Sequence, residues 1–223
     1  IADVRPLFEW LPVLLIFLAS ALTMRLWSEE KRAGTLEHIC TQPTPLWHFI
    51  AGKFIACLLL LGVALAITLP LPLTVAALGD LDWGPVIAGY LATFLLGAVY
   101  LSIGLWVSAR SDNQIVSMIT ATAVCGALYL VGTPLITDLF SNASGDWLRL
   151  LGTGARFAAI TRGVIDVRDL GYYLSLTLLF LTLNRYALER ERWSVTNSSG
   201  RRIWRILAAL AAAERGNAAA HRA

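Results

Sequence analysis

The sequence predicts an all-α, polytopic bundle of membrane helices, and three observations carry that expectation. First, its 223 residues are 57% hydrophobic and only 15% charged, with mean hydropathy +0.65; an average soluble domain is about 25% charged. Second, apolar runs close to the ~20 residues needed to cross a bilayer recur along the chain, and five spans are visible. Third, the charges between them are gathered into a few segments. The longest of these, Arg25 to Lys53, is the one long polar insertion between two apolar runs.

The first span runs from about Leu7 to Met24, with Pro12 near its start and Arg25 and Trp27 as interfacial anchors. Leu11 to Leu18 followed by Ala19-Ser20-Ala21 has the form of a signal-peptide core and cleavage site. Asp3 and Glu9 with only Arg5 make a poor n-region, so the span reading is preferred.

In the polar insertion, Glu29 to Glu37 should be helical, with Gly34 near its end and Leu36, Ile39 and Cys40 as a small apolar side. Pro43 breaks the run. Thr44 then reads as an N-cap with Pro45 at the first helical position, opening a helix that continues through Lys53 into the second span. A helix, an elbow and another helix are more than a plain connector needs.

The second span, Phe54 to Leu78, is expected to kink or end at Pro70 and Pro72. A tight loop follows, Gly79 to Pro85, with an interfacial Trp83. The third span, Val86 to Val107, carries small residues at Gly97, Ala98, Ser102 and Gly104, with Ser108 just beyond, which let a partner backbone approach. The fourth is Ile115 to Ile136, and the fifth Gly171 to about Leu188. Between them, Thr137 to Leu170 mixes apolar and charged residues and reads as amphipathic helices on the membrane surface, broken at Gly152-Thr153-Gly154. Residues 1–193 form the membrane domain on this reading, and 194–223 a basic tail: surface-associated over Ile203 to Ala213, then disordered.

Orientation follows from the basic residues. If the polar insertion is cytoplasmic, thirteen of the 18 Lys and Arg lie on that side and five opposite, so the insertion and the C-terminus are placed inside. Five spans then put the N-terminus outside; a further span before Ile1 would bring both ends inside.

Several chemistries are disfavoured. Cys40, Cys57 and Cys125 are isolated, which supports neither a disulfide framework nor a zinc knuckle. Gly52-Lys53 has the Gly-Lys of a P-loop, but position 47 is Trp where glycine is required, and Phe54 stands where Ser or Thr must ligate magnesium. An intramembrane enzyme would place ionisable groups deep in its spans. No Ser–His, Glu-x-x-His or paired-carboxylate arrangement is present, and no metal or cofactor site is assigned. Arg201 to Arg205 beside a span is a positive-inside or anionic-lipid feature rather than a nucleic-acid site. A non-transporting scaffold or anchor subunit is the alternative these residues leave open.

The segment LTMRLWSEEKRAGTLEHICTQPTPLWHFIAGKF resembles the region after the second span of ABC-2 type permeases, most closely the gliding-motility and nitrous-oxide-reductase-maturation branch. The matching residues are Met24-Arg25, Glu29-Glu30, Gly34-Thr35-Leu36-Glu37, Pro43 and Gly52-Lys53. A second stretch, RFAAITRGVIDVRDLGYYLSL, is similar to the family's Arg-Gly-Val-Ile-Asp run before its last span, here through Arg162, Gly163 and Asp166. The resemblance covers about Pro6 to Trp193. It departs from the six-span family in lacking the first span.

The resemblance implies a permease subunit of an ABC-2 exporter in a bacterial inner membrane, pairing with a second copy or a related subunit. Arg25, Glu29, Glu30, Gly34, Thr35, Glu37, Pro43, Gly52 and Lys53 would then form the segment that couples to a separate, dimeric cytoplasmic ATPase. Charge suits such a contact, because an interface that forms and reforms cannot rely on large apolar burial, and charge complementarity sets its register.

Overall fold

The computed structural model describes residues 5–36, 45–79, 81–133, 152–163 and 166–191. Among them there is no strand. The helices in chain order are α1 (Arg5–Thr23), α2 (Ser28–Ala33), α3 (Leu46–Thr68), α4 (Pro70–Leu78), α5 (Trp83–Arg110), α6 (Gln114–Val131) and α7 (Thr153–Ile160). A last helix, α8, covers residues 167–191.

Four stretches are long and apolar enough to cross a membrane: Pro6–Ala33, Leu46–Leu78, Trp83–Arg110 and Gln114–Val131. The fifth expected span lies within α8, which is continuous but is not among the four. Asn184 and Arg185 interrupt its apolar run. From Ile55 to Ile67 the outward face of α3 is apolar, with Ile55, Leu59, Leu60, Val63 and Ile67 all exposed. A face of that size would be a liability in water and is ordinary against lipid tails.

The bundle is built around α5. Its central stretch is 72% buried, against 17% for Leu46–Leu78 and for α6. It packs against α1, α3, α6 and α7, and Trp106 meets Phe180 of α8 edge-on at 5.6 Å. A helix that is hydrophobic all round belongs in the middle of a bundle. Small residues make the close packing possible: at Gly104 the Thr23 side chain of α1 fills the space a Cβ would need. Helices in lipid associate through such contacts rather than through a hydrophobic driving force.

The expected proline break is present. Leu69 separates α3 from α4, and its N–H reaches the Ala66 carbonyl at 3.2 Å, the tighter i−3 pattern. Thr68 beside the break shares a hydrogen bond with Tyr90 of α5 at 3.0 Å.

Four boundaries differ from expectation. Helix α5 starts at Trp83 rather than Val86 because the Asp82 carboxylate accepts from the Gly84 N–H at 3.0 Å and caps the first turn. It also continues beyond Val107 to Arg110. Pro45 is the extended residue before α3, so the helix begins at Leu46. Its proposed cap, Thr44, lies outside the described residues. Helix α6 gives way at Gly132, with Asn113 capping its start through the Ile115 N–H at 2.9 Å.

The largest correction concerns α7. Gly152 is its N-cap, so the helix starts within the glycine-rich triplet. That helix does not lie on a surface. Thr153, Gly154, Phe157 and Ile160 are buried against α5 and α6. Its first residue sits deep, with Tyr173 Oη donating to the Thr153 carbonyl at 3.0 Å and Tyr100 Oη 3.4 Å from Thr153 Oγ1. Residues 137–151 of the same stretch fall outside the description.

Candidate functional site

The matched polar segment gathers at one end of the bundle, around α2. Six residues make a helix too short to stand alone in water, so its neighbours must hold it. Trp27 at its N-cap supplies no side-chain cap. Ser108, from the last turn of α5, takes that role. Its Oγ accepts from the N–H groups of Trp27 at 3.1 Å and Ser28 at 3.3 Å, and its hydroxyl donates to the Met24 carbonyl at 3.3 Å. Orphan donors at a helix start are thus satisfied from a distant span.

Trp27 is fully buried, in a cluster with Leu36, Leu46, Ile50, Leu105, Ala109, Leu181 and Leu188. It is a core residue rather than the interfacial anchor its position suggested. The Lys53 ammonium lies 4.5 Å above its ring.

Two lysines fasten the segment to the spans. Lys53 Nζ donates to Glu30 Oε1 at 2.5 Å and to the Leu26 carbonyl at 2.6 Å. Lys31 Nζ, on a side chain only 7% exposed, lies 2.5 Å from Glu191 Oε1 at the end of α8 and 3.6 Å from Asp112 Oδ1 between α5 and α6. Glu29 Oε1 accepts from Gln114 Nε2 of α6 at 2.9 Å. These pairs are part-buried, so loss of one partner strands a charge that water reaches only in part and costs more than at an open surface. The pair between Arg25 and Glu29, 3.8 Å apart with both side chains more than half exposed, is worth about 0–1 kcal/mol.

Gly34 ends α2 at φ +73°, in the left-handed region, and donates its N–H to the Lys31 carbonyl at 3.1 Å. Thr35 Oγ1 donates to the Glu30 carbonyl at 3.2 Å. Gly52 is exposed on α3, with open space where a side chain would be. Glu37 and Pro43 lie outside the described residues. Of the segment singled out from sequence, then, Glu30 and Lys53 turn inward and pair with each other. Arg25 and Glu29 remain exposed, and so does Arg32. Ser108 as a cap, and Asp112, Gln114 and Glu191 as partners, were not anticipated.

At the opposite end, the residues of the Arg162-Gly163-Asp166 motif lie between α7 and α8. Gly163 has φ +91° and its N–H reaches the Ile160 carbonyl at 2.8 Å. The Asp166 carboxylate accepts from the Arg168 N–H at 3.0 Å and caps α8. Arg162 is exposed and, with Phe8, Glu9 and Tyr129, lines a pocket of about 480 Å³. The stronger tie in this stretch is Arg156, whose guanidinium pairs with Asp169 at 2.5 Å and stacks 4.3 Å from the Tyr172 ring.

The arrangement at the α2 end is mechanical in character. A short helix is bonded to four other helices, so displacing it displaces them. Residues 8–190 match the family model described as ABC-2 family transporter protein. No curated protein matches the chain. With more than three quarters of its length inside that match, the chain belongs to the ABC-2 transporter family, whose members are membrane components of transport systems.

Proposed function

We propose that this chain is the permease subunit of an ABC-2 exporter in a bacterial inner membrane, driven by a separate cytoplasmic ATPase that docks on the α2 segment. The observation that carries the reading is the two-sidedness of α2. Its inner side is tied to α3 through Glu30 and Lys53, to α5 through Ser108, to α6 through Glu29 and to α8 through Lys31. Its outer side, with Arg32 and, just before the helix, Arg25, is exposed. A push received by those charges is passed to every attached helix without first deforming a flexible loop. The α2 end, the loop after α5 and the end of α8 are the places where the basic residues concentrate, which supports a cytoplasmic position for all three. The likeness to the gliding-motility and nitrous-oxide-reductase-maturation branch rests on the two sequence motifs. A second permease copy or a relative completes the assembly on this reading.

Arg32 is the residue to test, because it is exposed and tied to nothing within the described chain. Co-expressed with its ATPase, an Arg32→Glu variant should reach the membrane at normal level and retain about tenfold less ATPase on purification, as a like or missing charge at a docking surface costs on the order of 1–2 kcal/mol or more. Arg168→Glu, at the opposite end, should retain all of it. Equal retention by both variants would leave α2 as a connector and favour the anchor-subunit alternative.

A further inference from the structure

Arg110, Tyr186 and Arg190 surround a pocket of about 490 Å³ between the C-terminal ends of α5 and α8, completed by Ala109, Ala187 and Glu191. The Glu191 carboxylate is already engaged by Lys31 at 2.5 Å. Neither arginine has a carboxylate partner among the described residues, and both are exposed. Arg110 is held in place from below, its guanidinium 4.9 Å from the Trp106 ring, and Trp106 rests on Phe180.

The pocket also has a definite place relative to the membrane. Arg110 is the last residue of α5, and Arg190 is one residue short of the end of the described part of α8. Both therefore lie where an apolar span meets the head-group layer. Beneath them, at helical spacing on α8, Tyr186, Leu183 and Leu179 form an outward stripe that is 65%, 36% and 51% exposed. A planar guanidinium fork matches a phosphate in geometry as well as charge, and a basic pocket above an apolar stripe matches a phospholipid from head to tail.

We infer that the Arg110–Tyr186–Arg190 pocket binds the phosphate head group of an anionic phospholipid, whose acyl chains lie along Leu183 and Leu179. The site is separate from the outward face of α2 and requires neither an ATPase nor a particular orientation of the chain. A bound lipid would brace the helix ends that Lys31 joins to α2.

The test uses the full chain in nanodiscs made from equal parts phosphatidylglycerol and phosphatidylcholine. After transfer to detergent, retained lipid is counted by native mass spectrometry. Wild type should retain phosphatidylglycerol about tenfold or more in excess, given roughly a factor of five to ten per interfacial arginine. Arg110→Gln/Arg190→Gln should bring the ratio close to one, and Arg32→Gln, an exposed arginine at the same end, should leave it unchanged. Should loss of the Arg110 stack on Trp106 prevent folding of the double variant, Arg190→Gln alone still tests the site with a several-fold fall. An unchanged ratio in the arginine variants would overturn the assignment. So would an equal fall in Arg32→Gln, which would mean diffuse charge attraction. Displacement of the lipid by millimolar glycerol phosphate would also overturn it, because the pocket would then be a site for free phosphate.

Discussion

Ser108 shows how one hydroxyl can define a functional segment. Two backbone N–H groups, those of Trp27 and Ser28, point into a buried region, and both donate to Ser108 Oγ. Ser108→Ala deletes that acceptor without adding volume. A buried donor left unsatisfied costs about 1–3 kcal/mol, so the variant should unfold at lower denaturant or temperature in detergent by that amount. The loss should be accompanied by faster amide exchange across residues 27–33. A change below about 0.5 kcal/mol with unaltered exchange would show that α2 does not depend on this cap. Ser108 was visible in the sequence only as one small residue near the end of a span. Its hydrogen-bonding role depends on a partner about eighty positions away, and no local spacing reports that.

Among the elements, α5 sets the geometry and α1 follows it. The Thr23 side chain occupies the volume a side chain at Gly104 would need, and Thr23 Oγ1 is committed to the Ala19 carbonyl at 2.7 Å. Gly104→Ala should therefore push α1 away and destabilise by about 1–3 kcal/mol, the usual range for overpacking. Thr23→Ala in the same chain should restore part of the loss, a coupling visible in a double-mutant cycle of detergent unfolding. Additive effects would mean that the two helices are not in register at this point. The elements themselves were largely legible: α1, α3, α5 and α6 follow from apolar run length, and the break at Leu69 from Pro70 and Pro72. Helix α7 was misplaced because amphipathic spacing says which face is apolar, not whether lipid or protein covers it. Phe157 and Ile160 turned out to face protein. Trp27 was misread for a related reason, since a tryptophan at the end of an apolar run suits an interface and a core equally well. The pairing of Lys31 with Glu191 joins residues 160 positions apart; both were visible as charges, and neither carried a sign of the other.

For the whole molecule the decisive property is polarity from end to end. Arg32, Asp112 and Glu191 lie at the end where α2, the turn after α5 and the end of α8 meet, whereas Asp82 and Arg168 belong to the starts of α5 and α8 at the other. The proposed docking requires the first end to face the cytoplasm, and the distribution of basic residues supports that orientation. Single cysteines placed in intact cells, with the three native cysteines replaced by serine, test it directly. Cysteines at Asp82 and Arg168 should react with a membrane-impermeant maleimide added from outside, because both positions are exposed. Those at Arg32 and Asp112, also exposed, should react only after the membrane is opened. Cys57 and Cys125 are buried, and their replacement removes small packing groups rather than any bond, so the background should fold. The reverse labelling pattern would turn the α2 segment outward, beyond the reach of any cytoplasmic ATPase, and the docking proposal would fall with it. Labelling of all four from outside would mean that the chain does not hold one orientation, which the concentration of basic residues at a single end argues against.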